Sequence, residues 1–159
     1  MLQFKLIEDS TFGVEVEGLD LRKSLDTRMV REIVDNLHEH RVVIIKGQQL
    51  DQESYLGFSR RLGRPDIHPL DYARMPGYPE IEEIGNTRTK DREEAIRNGA
   101  AFWHTEQAYE ANPVNALLFY AIKVPREGGE TWLADMRAAY DDLDQERKAF
   151  MDGLIVRHD

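Results

Sequence analysis

The longest run of consecutive β-branched residues in the chain is Val42–Ile45, and it limits what the chain can fold into. Consecutive β-branched residues favour a buried strand. No apolar run in the sequence approaches the ~20 residues that a membrane-spanning helix needs. The predicted strand extends from Arg41 to Lys46 and is stopped by Gly47. A globular protein with this strand in its interior is therefore expected.

Two helices are predicted on either side of this strand. In the first, Asp26 is placed to cap a helix whose apolar residues recur at helical spacing through about His40. In the second, Asp51 can cap a helix that runs to Leu62 and is ended by Gly63. Both helices lie in the first half of the chain.

Strand-like segments become more frequent towards the end of the sequence. Asp135 and Asp144 are each predicted to cap a short helix there. Segments 64–79 and 86–98 are predicted to be irregular, the latter as a charged surface loop. Together these segments predict an α+β fold. The predicted strands other than 41–46 are 4–7, 14–16, 80–84, 114–124, 130–134 and 154–156.

The charge and the missing cysteines exclude several classes of function. The 159 residues carry a formal net charge of -9, and such a field repels nucleic-acid phosphates and anionic lipid. Without cysteine, the chain has no disulfides, thiolate metal sites or cysteine nucleophiles. The N-terminus lacks the pattern of a signal peptide, so a cytoplasmic location is expected. The expected partner is a small molecule, with neither nucleic acid nor membrane.

The pair His104 and Glu106 is the strongest candidate for chemistry. If the segment is extended, both side chains point to one side, because strand side chains alternate with period two. An imidazole and a carboxylate placed in this way form two-thirds of the facial triad that holds non-haem Fe(II). Taken alone, such a short pattern more often consists of a histidine with an ordinary hydrogen-bond partner and an acidic residue on the surface. The second histidine of a triad is not obvious in this sequence.

The context of the pair resembles a known family. Phe102–Glu106 is followed by Asn112-Pro113, the segment Ala116–Ala121 and Gly128-Gly129-Glu130-Thr131; upstream lie the strand Arg41–Gly47 and the segment Leu56–Gly63. This combination resembles the taurine dioxygenase / 2,4-D dioxygenase family of Fe(II)- and 2-oxoglutarate-dependent oxygenases. The resemblance covers nearly the whole chain but only the N-terminal part of a typical member.

The resemblance implies a role for each matching residue. His104 and Glu106 match the first two iron ligands, although the family more often has aspartate at the second position. Thr131 matches the residue whose hydroxyl helps to hold 2-oxoglutarate. His68 and Asn86 match positions that line the substrate pocket, in regions where the alignment passes through loops. The implied reaction is the hydroxylation of a small organic acid or similar substrate, with 2-oxoglutarate as cosubstrate and release of succinate and CO2.

The implied fold is a double-stranded β-helix, a jelly roll with flanking helices. Single domains of this kind run to ~200–250 residues, so residues 1–159 are expected to be the N-terminal portion of a single dioxygenase domain. The distal histidine and the arginine that binds 2-oxoglutarate are then expected beyond Asp159, and this chain alone is expected to be inactive. An incomplete jelly roll exposes strand edges, which favours a homo-oligomer.

Two alternatives remain open at this point. The chain can be a non-catalytic, truncated relative that acts as a binding or structural dimer. It can also be a metal hydrolase that uses His104, Glu106 and His158, in which case strict zinc dependence without 2-oxoglutarate is expected.

Overall fold

The structure, a computed structural model, describes residues 2–68, 71–85 and 102–157. Its regular elements follow the order strand, strand, helix, strand, helix, hairpin and two further helices. Their bounds are β1 (Phe4–Leu6), β2 (Val14–Val16), α1 (Thr27–His40), β3 (Val43–Ile45), α2 (Gln52–Leu62), a 3₁₀ turn (Asp71–Ala73), β4 (Arg74–Met75), β5 (Tyr78–Glu82), α3 (Met136–Asp141) and α4 (Gln145–Asp152).

The strands β1, β2 and β3 form one sheet in that order. β1 is antiparallel to β2, and β2 is parallel to β3, with Val14 opposite Val43. The parallel pair needs a crossover connection, which α1 provides. On β2, Val14 and Val16 are buried while Glu15 faces outward and forms an ion pair of 2.7 Å with Lys46. The predicted strands at 4–7, 14–16 and 41–46 are therefore confirmed, the first and last with shorter bounds. The expected burial of the strand at 41–46 is wrong, because β3 lies at an edge of the sheet and Ile44 is 39% exposed.

The two predicted helices are also confirmed, together with the aspartates that begin them. The Asp26 carboxylate accepts a 2.7 Å hydrogen bond from the backbone N–H of Met29, and Asp51 accepts one of 2.8 Å from Ser54. These bonds satisfy backbone donors that the first turn of a helix leaves without a partner.

The buried core lies between the sheet and these two helices. Leu56 and Phe58 of α2 are 2% and 4% exposed, and Ile33 of α1 is 3% exposed. Apolar residues of the loop between β2 and α1 complete it. The main core cluster consists of Val16, Leu19, Leu21, Leu25, Val30, Ile33 and Phe58. The helices α1 and α2 therefore bury apolar residues that their sequence pattern indicated.

In the second half of the described chain, the regular elements after β5 are the two short helices α3 and α4. The predicted strands 114–124, 130–134 and 154–156 are wrong as strands, because these segments form no hydrogen-bonded ladder within the described ranges. Segment 114–124 still alternates in exposure: Leu118 and Tyr120 are half-buried, whereas Leu117 and Phe119 are 67% and 59% exposed. A strand needs a neighbouring strand as well as an alternating pattern, and the segment has only the pattern.

The hairpin of β4 and β5 differs from the prediction as well. β5 spans Tyr78–Glu82 rather than 80–84, and it pairs with β4, which lies in the stretch predicted to be irregular. Gly77 in the turn has φ 84°, a conformation that glycine adopts without strain. The predicted loop 86–98 lies outside the described residues. Among the described helices, none is long and apolar enough to cross a membrane.

Candidate functional site

His104 and Glu106 lie in a segment without a strand. Residues 103–105 have no regular secondary structure, and a turn covers 106–109, where Gln107 has φ 50°. The expectation of an extended His-x-Glu segment is therefore wrong for its second half. The side chains nevertheless converge, because His104 Nε2 and Glu106 Oε2 are 3.8 Å apart.

The His104 ring is held by a backbone contact. Its Nδ1 lies 2.8 Å from the carbonyl oxygen of Phe102. A carbonyl oxygen only accepts hydrogen bonds, so Nδ1 is the ring nitrogen that carries the hydrogen. In the neutral ring, Nε2 then presents a lone pair towards Glu106. Metal-binding histidines are commonly fixed in this way, with the second ring nitrogen donating to a carbonyl or a carboxylate.

The geometry of the pair fits a single metal ion. Bonds from a metal to imidazole nitrogen or carboxylate oxygen are about 2.0–2.2 Å long in zinc sites. Two such bonds together exceed the 3.8 Å between His104 Nε2 and Glu106 Oε2, so one ion can reach both atoms. The donor set of one nitrogen and one carboxylate is the type that suits Fe(II) in a facial triad.

The pair is accessible and supplies two donors. The side chains of His104 and Glu106 are 50% and 48% exposed. Within residues 2–68, 71–85 and 102–157, no cluster of three or more potential metal-binding side chains occurs. A third protein donor must therefore come from elsewhere. His158, which the hydrolase alternative requires, lies outside the described residues.

The other predicted site residues belong to different segments of the sequence. Thr131 is exposed, in the irregular segment 130–134 between the positive-φ glycines Gly128-Gly129 and helix α3. His68 lies beside the hairpin, where its Nε2 is 3.8 Å from Glu82 Oε2 and its carbonyl accepts a 2.6 Å hydrogen bond from Arg74 Nε. Asn86 lies outside the described residues. Whether any of these three serves the site stays a prediction.

The contacts that attach the second half of the chain to the first were not evident from the sequence. The hydroxyl of Tyr55 donates a 2.6 Å hydrogen bond to the carbonyl of Leu118, and the hydroxyl of Tyr120 accepts one of 2.9 Å from the backbone N–H of Leu50. Arg41 forms an ion pair with Asp135. These residues are 63, 70 and 94 positions apart in the sequence, so no local pattern could have indicated them.

Comparison with known proteins identifies the family of this chain. The family model for the taurine catabolism dioxygenase TauD, TfdA family matches residues 6–159. The chain belongs to this family, as the sequence resemblance indicated.

Two curated relatives illustrate the similarity. The alpha-ketoglutarate-dependent 2,4-dichlorophenoxyacetate dioxygenase of Cupriavidus pinatubonensis is 31% identical over 157 residues, with 92% of this chain and 55% of that protein covered. The (S)-phenoxypropionate/alpha-ketoglutarate-dioxygenase of Sphingobium herbicidovorans is 32% identical over 153 residues, covering 94% and 51%. The chain thus spans about half the length of these relatives.

A solved structure extends the similarity to three dimensions. The crystal structure of a taurine dioxygenase from Burkholderia xenovorans matches with a TM-score of 0.74 and 28% identity, covering 96% of this chain and 51% of that one. The elements described above therefore have the arrangement of about half of a taurine dioxygenase.

Proposed function

We propose that residues 1–159 are the N-terminal portion of a single Fe(II)- and 2-oxoglutarate-dependent dioxygenase domain. The observation that carries the proposal is the His104–Glu106 pair, with Nε2 freed for a metal by the Phe102 carbonyl and with Oε2 3.8 Å away. Membership of the TauD, TfdA family supports the reaction class. In this proposal the jelly roll is completed by further sequence, which also supplies the distal histidine and the arginine for 2-oxoglutarate.

Each residue has a defined task in this proposal. His104 offers a neutral nitrogen donor, and Glu106 offers a carboxylate that balances part of the charge of the cation. Thr131 donates a hydrogen bond from its hydroxyl to a carboxylate of 2-oxoglutarate, and His68 and Asn86 contact the substrate. With O2 and 2-oxoglutarate, a bound Fe(II) would supply the oxidising chemistry that hydroxylates the substrate and releases succinate and CO2.

The substrate in this proposal is a small organic acid. The relatives' names specify dichlorophenoxyacetate and phenoxypropionate, which are carboxylic acids of modest size. The exposure of His104 and Glu106 leaves the pair open to a small molecule from one side. Water must be excluded from the site during the reaction, which requires additional cover over both side chains.

A second candidate is the non-catalytic dimer, and one observation favours it. Large apolar side chains between residues 102 and 156 are exposed, among them Trp103 at 72%, Trp132 at 76% and Ile155 at 97%. Apolar surface of this kind is commonly covered by another chain or by further sequence. This candidate predicts association without any dependence on iron or 2-oxoglutarate.

The decisive experiment is an anaerobic titration of the whole protein with Fe(II) and 2-oxoglutarate, monitored by the visible metal-to-ligand charge-transfer band. The band should require both additions and should be lost in His104→Ala. The matched control is His38→Ala, which removes an exposed histidine near the end of α1. A band that persists unchanged in His104→Ala contradicts the site, and a wild-type protein without a band contradicts the function.

A further inference from the structure

Arg41 has an unusual position at the junction between α1 and β3. It ends α1 in the left-handed conformation with φ 65°, and its N–H donates a 2.7 Å hydrogen bond to the carbonyl of Leu37. A left-handed conformation is unfavourable for a residue with a long side chain. The conformation directs the chain from the helix into the edge strand β3, so the Arg41 backbone connects these two elements.

The guanidinium of Arg41 is held between two partners. Nη1 donates to the carbonyl of Glu39, and Nη2 donates to the carboxylate of Asp135. The Asp135 side chain is only 8% exposed and that of Arg41 is 34% exposed. The planar fork of arginine can satisfy two acceptors in fixed directions, which the single ammonium of lysine does less well.

The same Asp135 carboxylate begins helix α3. Its Oδ1 accepts a 3.0 Å hydrogen bond from the N–H of Ala138 while Oδ2 contacts Arg41. The carboxylate therefore fixes the start of the helix and connects it to the α1–β3 junction. This connection joins the two halves of the chain at the end of segment 130–134.

Stability alone does not account well for this arrangement. The Nε atom of Arg41 is buried and has no hydrogen-bond partner within the described part of the chain. A buried donor without a partner costs free energy that replacement by an apolar side chain would avoid. The ion pair also forms between groups that must lose most of their hydration, which offsets much of its attraction.

Segment 130–134 ends at this ion pair and carries Thr131. The segment forms no strand ladder within the described ranges, so its position depends on its attachments. Thr131 is four residues from Asp135, a distance of at most ~14 Å along extended chain. A hydrogen bond from the Thr131 hydroxyl tolerates a variation of only about 0.5 Å. Loss of the anchor at Asp135 would allow larger displacements than that.

We propose that Arg41 and Asp135 are positioning residues that hold segment 130–134, so that Thr131 can donate to the carboxylate of 2-oxoglutarate. This inference rests on the function proposed above. It assigns no role to the pair in metal binding, because His104 and Glu106 belong to a different segment.

The test separates binding of 2-oxoglutarate from binding of Fe(II). In the whole protein, Arg41→Met should raise the Kd for 2-oxoglutarate about tenfold, or about 1.4 kcal/mol, and change the Kd for Fe(II) less than about twofold. Arg41→Lys should restore part of the affinity. Asp135→Asn, which keeps an oxygen to cap α3, should have a similar effect, and the double variant should add little because both remove one interaction.

Arg22→Met is the matched control, because it removes another arginine–aspartate pair, with Asp20, that lies far from Thr131 in the sequence. An unchanged Kd for 2-oxoglutarate in both Arg41→Met and Asp135→Asn overturns the proposal. Parallel losses of Fe(II) and 2-oxoglutarate binding in both variants also overturn it, since they indicate general destabilisation. A wild-type protein that binds Fe(II) but not 2-oxoglutarate refutes the proposed function as well, which is a distinguishable result.

Discussion

Tyr55 of α2 donates a 2.6 Å hydrogen bond from its hydroxyl to the backbone carbonyl of Leu118. The ring of Tyr55 also lies beside that of Tyr120, with centroids 6.2 Å apart and planes inclined by 34°. Burial raises the pKa of the Tyr55 hydroxyl above its usual value, so the group remains a donor at neutral pH. This phenol is thus one of the contacts that attach the exposed second half of the chain to the buried first half.

The first prediction concerns this attachment. Tyr55→Phe should lower the free energy of unfolding by about 1 kcal/mol, because the half-buried Leu118 carbonyl loses its donor. Chemical denaturation monitored by circular dichroism measures the change. Tyr140→Phe is the control, since its hydroxyl donates to the exposed Asp152 carboxylate and should matter less. Equal effects of the two substitutions would show that the Leu118 contact has no special importance.

The second prediction concerns the core. Leu56→Ala should lower the free energy of unfolding by about 2–5 kcal/mol, since Leu56 is 2% exposed and its loss leaves a cavity. Leu117→Ala removes the same atoms from a side chain that is 67% exposed and should change stability by less than about 0.5 kcal/mol. Urea denaturation of both variants provides the comparison. A large effect of Leu117→Ala would mean that its side chain is covered in solution.

The first half of the chain could be predicted from sequence because its determinants are local. The aspartates at positions 26 and 51 begin the helices that their spacing indicated, and Val42–Ile45 contains the edge strand β3. The predicted strand 114–124 failed for a different reason: its alternating pattern is present, but within the described ranges no neighbouring strand pairs with it. The pattern of a strand does not specify its partner.

The candidate site was predictable only in part. The residue types and spacing of His104 and Glu106 indicated a metal pair, and the structure brings their side chains to 3.8 Å. The Phe102 carbonyl that orients the ring is a backbone atom, and every residue has one, so no sequence pattern could select it. The same limit applies to Arg41 and Asp135, whose pairing depends on how two distant segments fold together.

The third prediction concerns acid stability. The N–H of Ala138 and then Arg41 lower the pKa of Asp135, so the folded protein binds this proton less readily than the unfolded chain. The contribution of Asp135 is complete above the ordinary aspartate pKa of ~3.9 and is lost as the pH falls through the lower folded value. Asp135→Asn should therefore flatten the decline in stability below about pH 4.

Urea unfolding at several pH values between about 2 and 7 tests this prediction. Asp144→Asn is the control, because Asp144 also caps a helix but its side chain is 64% exposed. This control shows how the loss of any one capping carboxylate changes the decline in stability at low pH. If stability declines as steeply at low pH in Asp135→Asn as in the wild type, the assigned role of this carboxylate is contradicted.

The fourth prediction concerns the carboxylate of the proposed metal site. Glu106→Gln keeps the size of the side chain but removes its charge, so it should weaken Fe(II) binding by at least about tenfold, since a neutral amide is a poorer partner for a divalent cation. Glu106→Asp should retain more affinity, because it keeps the charge and shortens only the arm. The control Glu110→Gln removes an exposed acid near the same turn, so it reports the effect of net charge alone. Calorimetric titration with Fe(II) under anaerobic conditions measures all three affinities. If Glu106→Gln and Glu110→Gln weaken binding equally, the metal responds to the general negative field and Glu106 is not a ligand.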